Sequence, residues 1–224
     1  MNGNMIIKNA AELVTCSGFA AKKGSQMAEL NIINDGAVMV KDGIIEAVGK
    51  SREIDRQLKN AGTDQSDFDV VDARGKAVLP GFVDSHTHLV FGGYRAEEFS
   101  WRLRGDSYMQ IMQRGGGIIS TVEATRQAST EELLQAGIMR LNSMLSFGVT
   151  TVEGKSGYGL NCETEIKQLD VMARLDQVHY VDVVPTFLGA HAVPQDFKGK
   201  QDAFIDFLIS DVLPRVTEQQ LAEF

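Results

Sequence analysis

The stretch LPGFVDSHTH at residues 79–88 constrains the fold of this chain more than any other. An apolar run leads through Pro80 and Gly81 into a short buried strand that ends on His86 and His88. Residues two apart leave the same face of an extended strand, so we expect the two imidazoles to point the same way. Such a pair can share one zinc or iron(II) ion, but a catalytic site needs about three protein ligands. The pair therefore predicts part of a metal site.

Taken alone, a His-x-His pair is as compatible with two surface or core histidines as with a metal site. The context favours a functional interpretation, because these histidines fall at the C-terminal end of a strand, where barrel enzymes keep their chemistry.

The charge and cysteine content limit the classes of partner and compartment. The 224 residues carry a formal net charge of -8 without a cluster of Lys and Arg, which argues against nucleic acid or an anionic membrane as a partner. Cys16 and Cys162 lie far apart, as expected for reduced thiols in a cytosolic protein. The sequence has no signal-peptide pattern and no apolar run near the ~20 residues that cross a bilayer, so we expect a cytoplasmic location.

Short β-like runs occupy the chain between Met5 and about Val71. Runs at residues 5–7, 30–33, 36–40 and 44–48 predict the strands of a small antiparallel unit. The segment Lys41-Asp42-Gly43 between the last two favours a type I′ hairpin. A helix is predicted over residues 52–61, followed by a polar turn.

Strands alternate with amphipathic helices after Pro80. Ser129-Thr130-Glu131-Glu132 is a capping box that opens a helix, and Gly148 ends it. The pattern then predicts a strand at 149–153, a helix at 163–177, a strand at 180–188 and a helix at 201–212. Repeating strand-helix units of this size indicate a parallel sheet, either open or closed into a barrel.

Polar residues follow each strand of this second half. They are His86, His88 and Arg95 after the first strand, Lys155, Ser156 and Tyr158 after the second, and His191 after the third. In a barrel these loops open on one face, so we predict that their side chains converge on one cavity. Individually, Arg95 is also compatible with a solvated charge, Tyr158 with a packed ring and His191 with a hydrogen-bonded loop histidine. We interpret His179 as structural and residues 115–117 as flexible backbone near the cavity, because that segment lacks the Lys-Ser/Thr of a phosphate loop.

Together these motifs resemble the metal-dependent amidohydrolase superfamily. Residues 79–88 look like its first barrel strand, and residues 40–45 look like its N-terminal β-sandwich. The match narrows to the imidazolonepropionase family through four segments: HLVFGGYR at 88–95, QRGGGI at 113–118, EGKSGYGL at 153–160 and TFLGAH at 186–191. The resemblance implies an α/β fold with the first half of a (β/α)8 TIM-like barrel at residues 79–224, preceded by part of a small β-sandwich at residues 1–78.

The resemblance also implies a reaction, the hydrolytic ring opening of 4-imidazolone-5-propanoate to N-formimidoyl-L-glutamate in histidine degradation. By motif position, His86 and His88 are the metal ligands of one divalent ion, zinc or iron, while Arg95, Tyr158 and His191 hold the substrate. The family has a further metal-binding His, a catalytic Glu and a metal-binding Asp on later strands, which are not in this sequence. We therefore expect half of a site without its catalytic residue, an inactive isolated chain and, in the complete enzyme, a homodimer.

Two alternatives stay open. Lys155 follows a strand and could be carbamylated to bridge two metals, as in dihydroorotase-like or hydantoinase-like enzymes. The chain could instead be a non-catalytic fragment or interaction module that keeps His86 and His88 and pairs its open sheet with a partner.

Overall fold

A computed structural model describes residues 3–18 and 20–224. The chain divides at Pro80 and Gly81 into two compact units. The assignment of residues 1–78 and 79–224 to two named domains stays a prediction. Within the described ranges, none of the helices has the length and apolar character needed to span a membrane.

The first unit is built on one mixed sheet. Strands β1 (Met5–Val14), β2 (Ile32–Lys41) and β3 (Ile44–Lys50) pair antiparallel in the order β3-β2-β1. Strands β4 (Asp69–Asp72) and β5 (Ala77–Val78) pair parallel to β1, so the expectation of a purely antiparallel unit was wrong. Two strands were predicted at 30–33 and 36–40, but residues 32–33 and 36–40 belong to the single strand β2, and residues 30–31 precede it. Asp35 lies between them with a φ of 54°, and pairing with β1 continues in register on both sides. The one shift in this strand pair lies between Ile7 and Ala10 of β1.

The hairpin and the helix of this unit are confirmed. Asp42 and Gly43 have φ values of 51° and 81°, as a type I′ turn requires, and they join β2 to β3. Helix α1 (Ser51–Asn60) buries Ile54 and Leu58 in a core with the sheet residues Ile6, Ala37 and Met39.

The second unit contains three parallel strands in the order β6-β7-β8: β6 (Phe82–Thr87), β7 (Val149–Lys155) and β8 (Asp182–Thr186). The long helices α5 (Thr130–Ser146) and α6 (Cys162–Val178) connect them. The capping box of α5 is confirmed, since Ser129 accepts a bond from the Glu132 N–H and Glu132 accepts one from the Ser129 N–H. The predicted partial (β/α) barrel fold is confirmed. Strand β8 is shorter than predicted because the chain turns after it, with the His191 N–H bonded to the Leu188 carbonyl at 3.0 Å.

Between β6 and α5 lie three helices that the sequence did not predict: α2 (Ala96–Leu103), α3 (Tyr108–Gln113) and α4 (Ile118–Gln127). The last predicted helix runs further than expected. Helix α7 (Gln201–Phe207) continues through a π-helical turn (Leu208–Val212) into α8 (Leu213–Glu218). Pro214, which has no backbone N–H to donate, lies two residues after the end of the π-helical turn. Short 3-10 turns occur at Gly24–Ala28, Gln65–Asp67 and Gln195–Phe197.

The core of the second unit lies between its sheet and its helices. It includes Leu89, Leu141, Val152, Leu169, Met172, Leu175 and Phe204. This core fixes the C-terminal ends of the three strands, from which the candidate site residues extend.

Candidate functional site

Strand β6 carries His86 and His88 to the C-terminal end of the parallel sheet. Its pairing with β7 shifts register between Asp84 and Thr87, and the Asp84 carboxylate accepts the His86 N–H at 3.2 Å. This irregularity interrupts the simple alternation of side chains. His86 is exposed and His88 is partly buried. The expectation that both imidazoles leave one face therefore stays a prediction.

The rings of His88, Tyr158 and His191 form a compact cluster. The ring centroids of His88 and Tyr158 lie 4.6 Å apart, those of His88 and His191 4.7 Å, and those of Tyr158 and His191 5.5 Å. The Phe91 ring approaches Tyr158 edge-on at 6.0 Å. Three of the five predicted site residues, each following a different strand, are thus brought together.

Arg95 lies on a neighbouring cavity of about 300 Å³ that it shares with Tyr158 and Phe91. Its Nε is 3.7 Å from Oε1 of Glu98, a buried carboxylate that also accepts the Gly117 N–H at 2.7 Å. The end of the glycine segment 115–117 is therefore anchored close to the cavity. Tyr158 belongs to both the cavity wall and the ring cluster, so it connects Arg95 to the two histidines.

The environment of His88 keeps its imidazole neutral. The pKa of His88 is lowered from 6.5 to about 4, first by burial and then by positive charge on His191 and His86, while hydrogen bonds with the backbone of Ser156 and Lys155 partly oppose the shift. Neutral imidazole is the form that coordinates metal ions. At neutral pH His88 is therefore in the state that a ligand requires.

The hydrogen bonding of His88 also suits a metal ligand, but the described residues do not complete a site. Its buried Nδ1 has no hydrogen-bond partner in the described part of the chain. Such an atom is costly unless another group satisfies it. Within residues 3–18 and 20–224, no group of three or more His, Cys, Asp or Glu side chains is arranged to hold a metal ion. His86 and His88 fit part of a coordination shell.

The sequence of this chain is similar to a known family model and to curated proteins. The Amidohydrolase family model matches residues 69–117. The chain is 55% identical over 222 residues to an imidazolonepropionase of Clostridium tetani, covering 99% of this chain and 52% of that protein. It is 52% identical over 223 residues to an imidazolonepropionase of Parabacteroides distasonis, covering 100% of this chain and 52% of that protein. The resemblance to imidazolonepropionases is confirmed. The chain spans about half the length of the curated relatives it matches.

Solved structures support the fold assignment. Guanine deaminase of E. coli matches with a TM-score of 0.54 and 14% identity, over 93% of this chain and 44% of that one. An uncharacterized metal-dependent hydrolase from Pyrococcus furiosus matches with a TM-score of 0.51 and 13% identity, over 82% of this chain and 50% of that one. At this identity the likeness concerns the fold alone.

The surroundings of Lys155 favour the imidazolonepropionase resemblance over the carbamate alternative. The Lys155 ammonium pairs with the Glu153 carboxylate, which also accepts the Thr186 hydroxyl at 2.7 Å. Hydrogen bonds from Lys155 and Thr186, together with nearby positive charge, hold the pKa of Glu153 below its usual value. A carbamylated Lys155 would place a second negative charge beside this carboxylate, which is unfavourable.

Sequence reasoning missed the polar side chains that hold the site loops. Arg140 on α5 donates to the carbonyls of Leu89 at 2.7 Å and Phe91 at 3.1 Å, and its guanidinium lies 3.6 Å from the centre of the Phe91 ring. It therefore fixes the backbone that follows His88. Its position two turns after the buried Leu133 was the available signal, because a charged residue on the buried face of a helix needs partners.

His179, interpreted as structural, accepts the Val181 N–H at 3.0 Å through Nδ1, in agreement with that interpretation.

Proposed function

We propose that this chain supplies the metal-ligand pair and the substrate-binding face of an imidazolonepropionase. The reaction is the addition of water to 4-imidazolone-5-propanoate: the carbonyl carbon gains a hydroxyl group, its ring C–N bond breaks and the ring nitrogen takes up a proton. The product is N-formimidoyl-L-glutamate. The observation that supports this most directly is the cluster of His88, Tyr158 and His191 beside the cavity that contains Arg95.

The two ends of the substrate suit the two parts of the site. The propanoate is an anion, and Arg95 at the cavity offers the planar guanidinium that pairs bidentately with a carboxylate. The flat imidazolone ring suits the neighbouring rings of Tyr158 and His191, which are 5.5 Å apart. Tyr158 lines the cavity that contains Arg95 and also belongs to the ring cluster, so the two parts of the site adjoin each other.

His86 and His88 would hold one divalent ion, zinc or iron. When bound, such an ion polarises the carbonyl and lowers the pKa of a bound water to about 7. The chain's own contribution is to present a neutral His88 imidazole with a free buried nitrogen.

The acidic composition and the two free cysteines support a cytoplasmic enzyme that binds neither nucleic acid nor membranes. A homodimer is the assembly that the resemblance implies.

A chimera tests this proposal directly. Residues 1–224 would replace the matching half of the Clostridium tetani relative, to which they are 55% identical. We expect the metal-loaded chimera to convert 4-imidazolone-5-propanoate to N-formimidoyl-L-glutamate, identified by mass spectrometry. The same chimera with His88→Ala serves as the negative control, and we expect the 224-residue chain alone to show no turnover. A folded, metal-loaded chimera without turnover, beside an active parent, would refute the proposal.

A further inference from the structure

Two buried polar residues on α6 lie behind the candidate site. Glu165 and Gln168 each have 0% exposed surface and are one helical turn apart. Neither extends into the cavity beside Arg95. Buried polar groups of this kind are costly unless all their hydrogen bonds are made, so their partners indicate what they stabilise.

The partners of Glu165 all lie in the loop that contains Tyr158. Its Oε2 accepts the Gly157 N–H at 2.9 Å, and its Oε1 accepts the N–H groups of Gly159 and Leu160 at 2.8 Å each. No ion pair of Glu165 with Lys or Arg occurs in the described ranges, so these three backbone donors satisfy the carboxylate. The loop is thereby wrapped around a single side chain.

Gln168 connects this loop to the segment that follows His88. Its Oε1 accepts the Tyr158 N–H at 3.2 Å, and its Nε2 donates to the Val90 carbonyl at 2.7 Å. Val90 is two residues beyond His88. One amide group therefore spans the loops that carry the His88 and Tyr158 rings.

Gly157 brings the same loop against the third member of the cluster. Its φ is 106°, and a Cβ there would lie 2.8 Å from the Cβ of His191 and 2.7 Å from the Leu188 carbonyl oxygen. The loop thus packs directly on the backbone that carries His191. A displacement of residues 157–160 would move the Tyr158 ring away from the rings of His88 and His191.

We propose that Glu165 and Gln168 are positioning residues that hold the Tyr158 ring against the His88 ring and beside that of His191. The consequence for substrate binding rests on the proposed function, whereas the positioning of the rings does not. Misplacement of a site group by about 1 Å can lower the catalytic rate of an enzyme about a hundredfold, so side chains that fix the position of a site loop matter for activity. The competing explanation is that both residues only stabilise the fold.

Nuclear magnetic resonance on the full 224-residue chain separates the two explanations. The chain has four His and four Tyr, so selective ¹³C labelling of both types gives few signals, and the Tyr158 and His88 rings at 4.6 Å should show a nuclear Overhauser effect. Spectra would be recorded without substrate, at a concentration where light scattering reports one species. The variants are Glu165→Gln, which removes an acceptor, and Gln168→Met, which removes both hydrogen bonds without changing the charge. Glu163→Gln is the matched control, because Glu163 is exposed and lies in the same first turn of α6.

We expect Glu165→Gln and Gln168→Met to weaken the Tyr158 to His88 cross-peak by about threefold or more, as a shift of about 1 Å would. Far-UV circular dichroism should stay at the wild-type value, and Glu163→Gln should keep the full cross-peak. Cross-peaks of wild-type intensity in folded variants would overturn the proposal, whatever happens to the melting temperature. If Glu165→Gln does not fold, Gln168→Met decides the question. Failure of the proposed function is a separate result, since it appears as an inactive chimera with the wild-type ring contacts intact.

Discussion

At the scale of single residues, the chemistry of His88 depends strongly on its surroundings. Burial and the neighbouring histidines bring its pKa from 6.5 to about 4, and its Nδ1 has no partner in the described part of the chain. The folded chain therefore resists protonation at this position, whereas the unfolded chain accepts a proton near pH 6.5.

This difference makes stability depend on pH. Between pH 6.5 and about 4 the unfolded chain binds more protons at His88, so the free energy of unfolding decreases as the pH falls through this window and is fully retained above it. After allowance for solvent screening we expect a loss of about 1–2 kcal/mol. Urea denaturation at several pH values, with chelator present, would show a smaller loss in His88→Gln. A histidine titration that places the midpoint of His88 near 6.5 would contradict the assignment.

Arg95 gives a second test at this scale. In the chimera we expect Arg95→Ala to raise KM for 4-imidazolone-5-propanoate by about 30-fold, equivalent to about 2 kcal/mol, because the substrate carboxylate loses its cation. Arg102→Ala is the control, since Arg102 is an exposed arginine in the helix that follows Arg95. An unchanged KM in steady-state kinetics would remove Arg95 from the binding site.

The sequence predicted which rings would gather but did not predict what holds them. His88, Tyr158 and His191 converge because each follows a parallel strand, and the C-terminal ends of such strands share one edge. Periodicity predicts at best that Glu165 and Gln168 are buried, because their partners are backbone N–H and C=O groups, which any residue type provides. The arrangement of metal-ligand and substrate residues stays a prediction.

At the scale of elements, the long periodic helices were predictable, whereas of the short helices α1 was predicted and α2, α3 and α4 were not. Helices α5 and α6 each have 17 residues and a clear buried face, and the sequence predicted both to within a few residues. Helices α2, α3 and α4 have only 6 to 10 residues, and the only apolar side chains among their buried residues are Ile111 and Val122, so they show no apolar stripe. Ser107 and Gln110 form a capping box at α3 that was the missed signal there.

The loop between β7 and α6 is sensitive to a single added methyl group, because Gly157 combines a positive φ with a close backbone contact. In Gly157→Ala, the new Cβ would meet the Leu188 carbonyl at 2.7 Å on top of a φ of 106°. We expect the free energy of unfolding to fall by about 3 kcal/mol or more, since clash adds to backbone strain. Gly199→Ala is the control, because Gly199 has a φ of 75° and open space around it, and should lose only about 1 kcal/mol. Equal losses in urea denaturation would show that packing on His191 is unimportant.

At the scale of the whole molecule, the second unit leaves apolar surface on its sheet. In the described sheet β6 is an edge strand, and Phe82 and Val83 on it are 54% and 66% exposed. An exposed apolar edge strand pairs readily with other chains, whereas a closed barrel has no edge.

We therefore expect the 224-residue chain to self-associate as its concentration rises, measured by light scattering or sedimentation. Val83→Lys should reduce this association, because charge on an edge strand opposes pairing. Val178→Lys is the control, since Val178 is 63% exposed but lies at the end of helix α6 and not on a strand. A monomer at every concentration, or equal effects of both variants, would contradict this expectation.

The anchoring of the Tyr158 loop to α6 has a consequence for protein engineering. Because Glu165 and Gln168 bind the loop that precedes their own helix, residues 156–168 form one interdependent cassette. Grafting the loop by itself onto another scaffold would leave its amide hydrogens without acceptors, so a transplant has to carry the first two turns of the helix along with it.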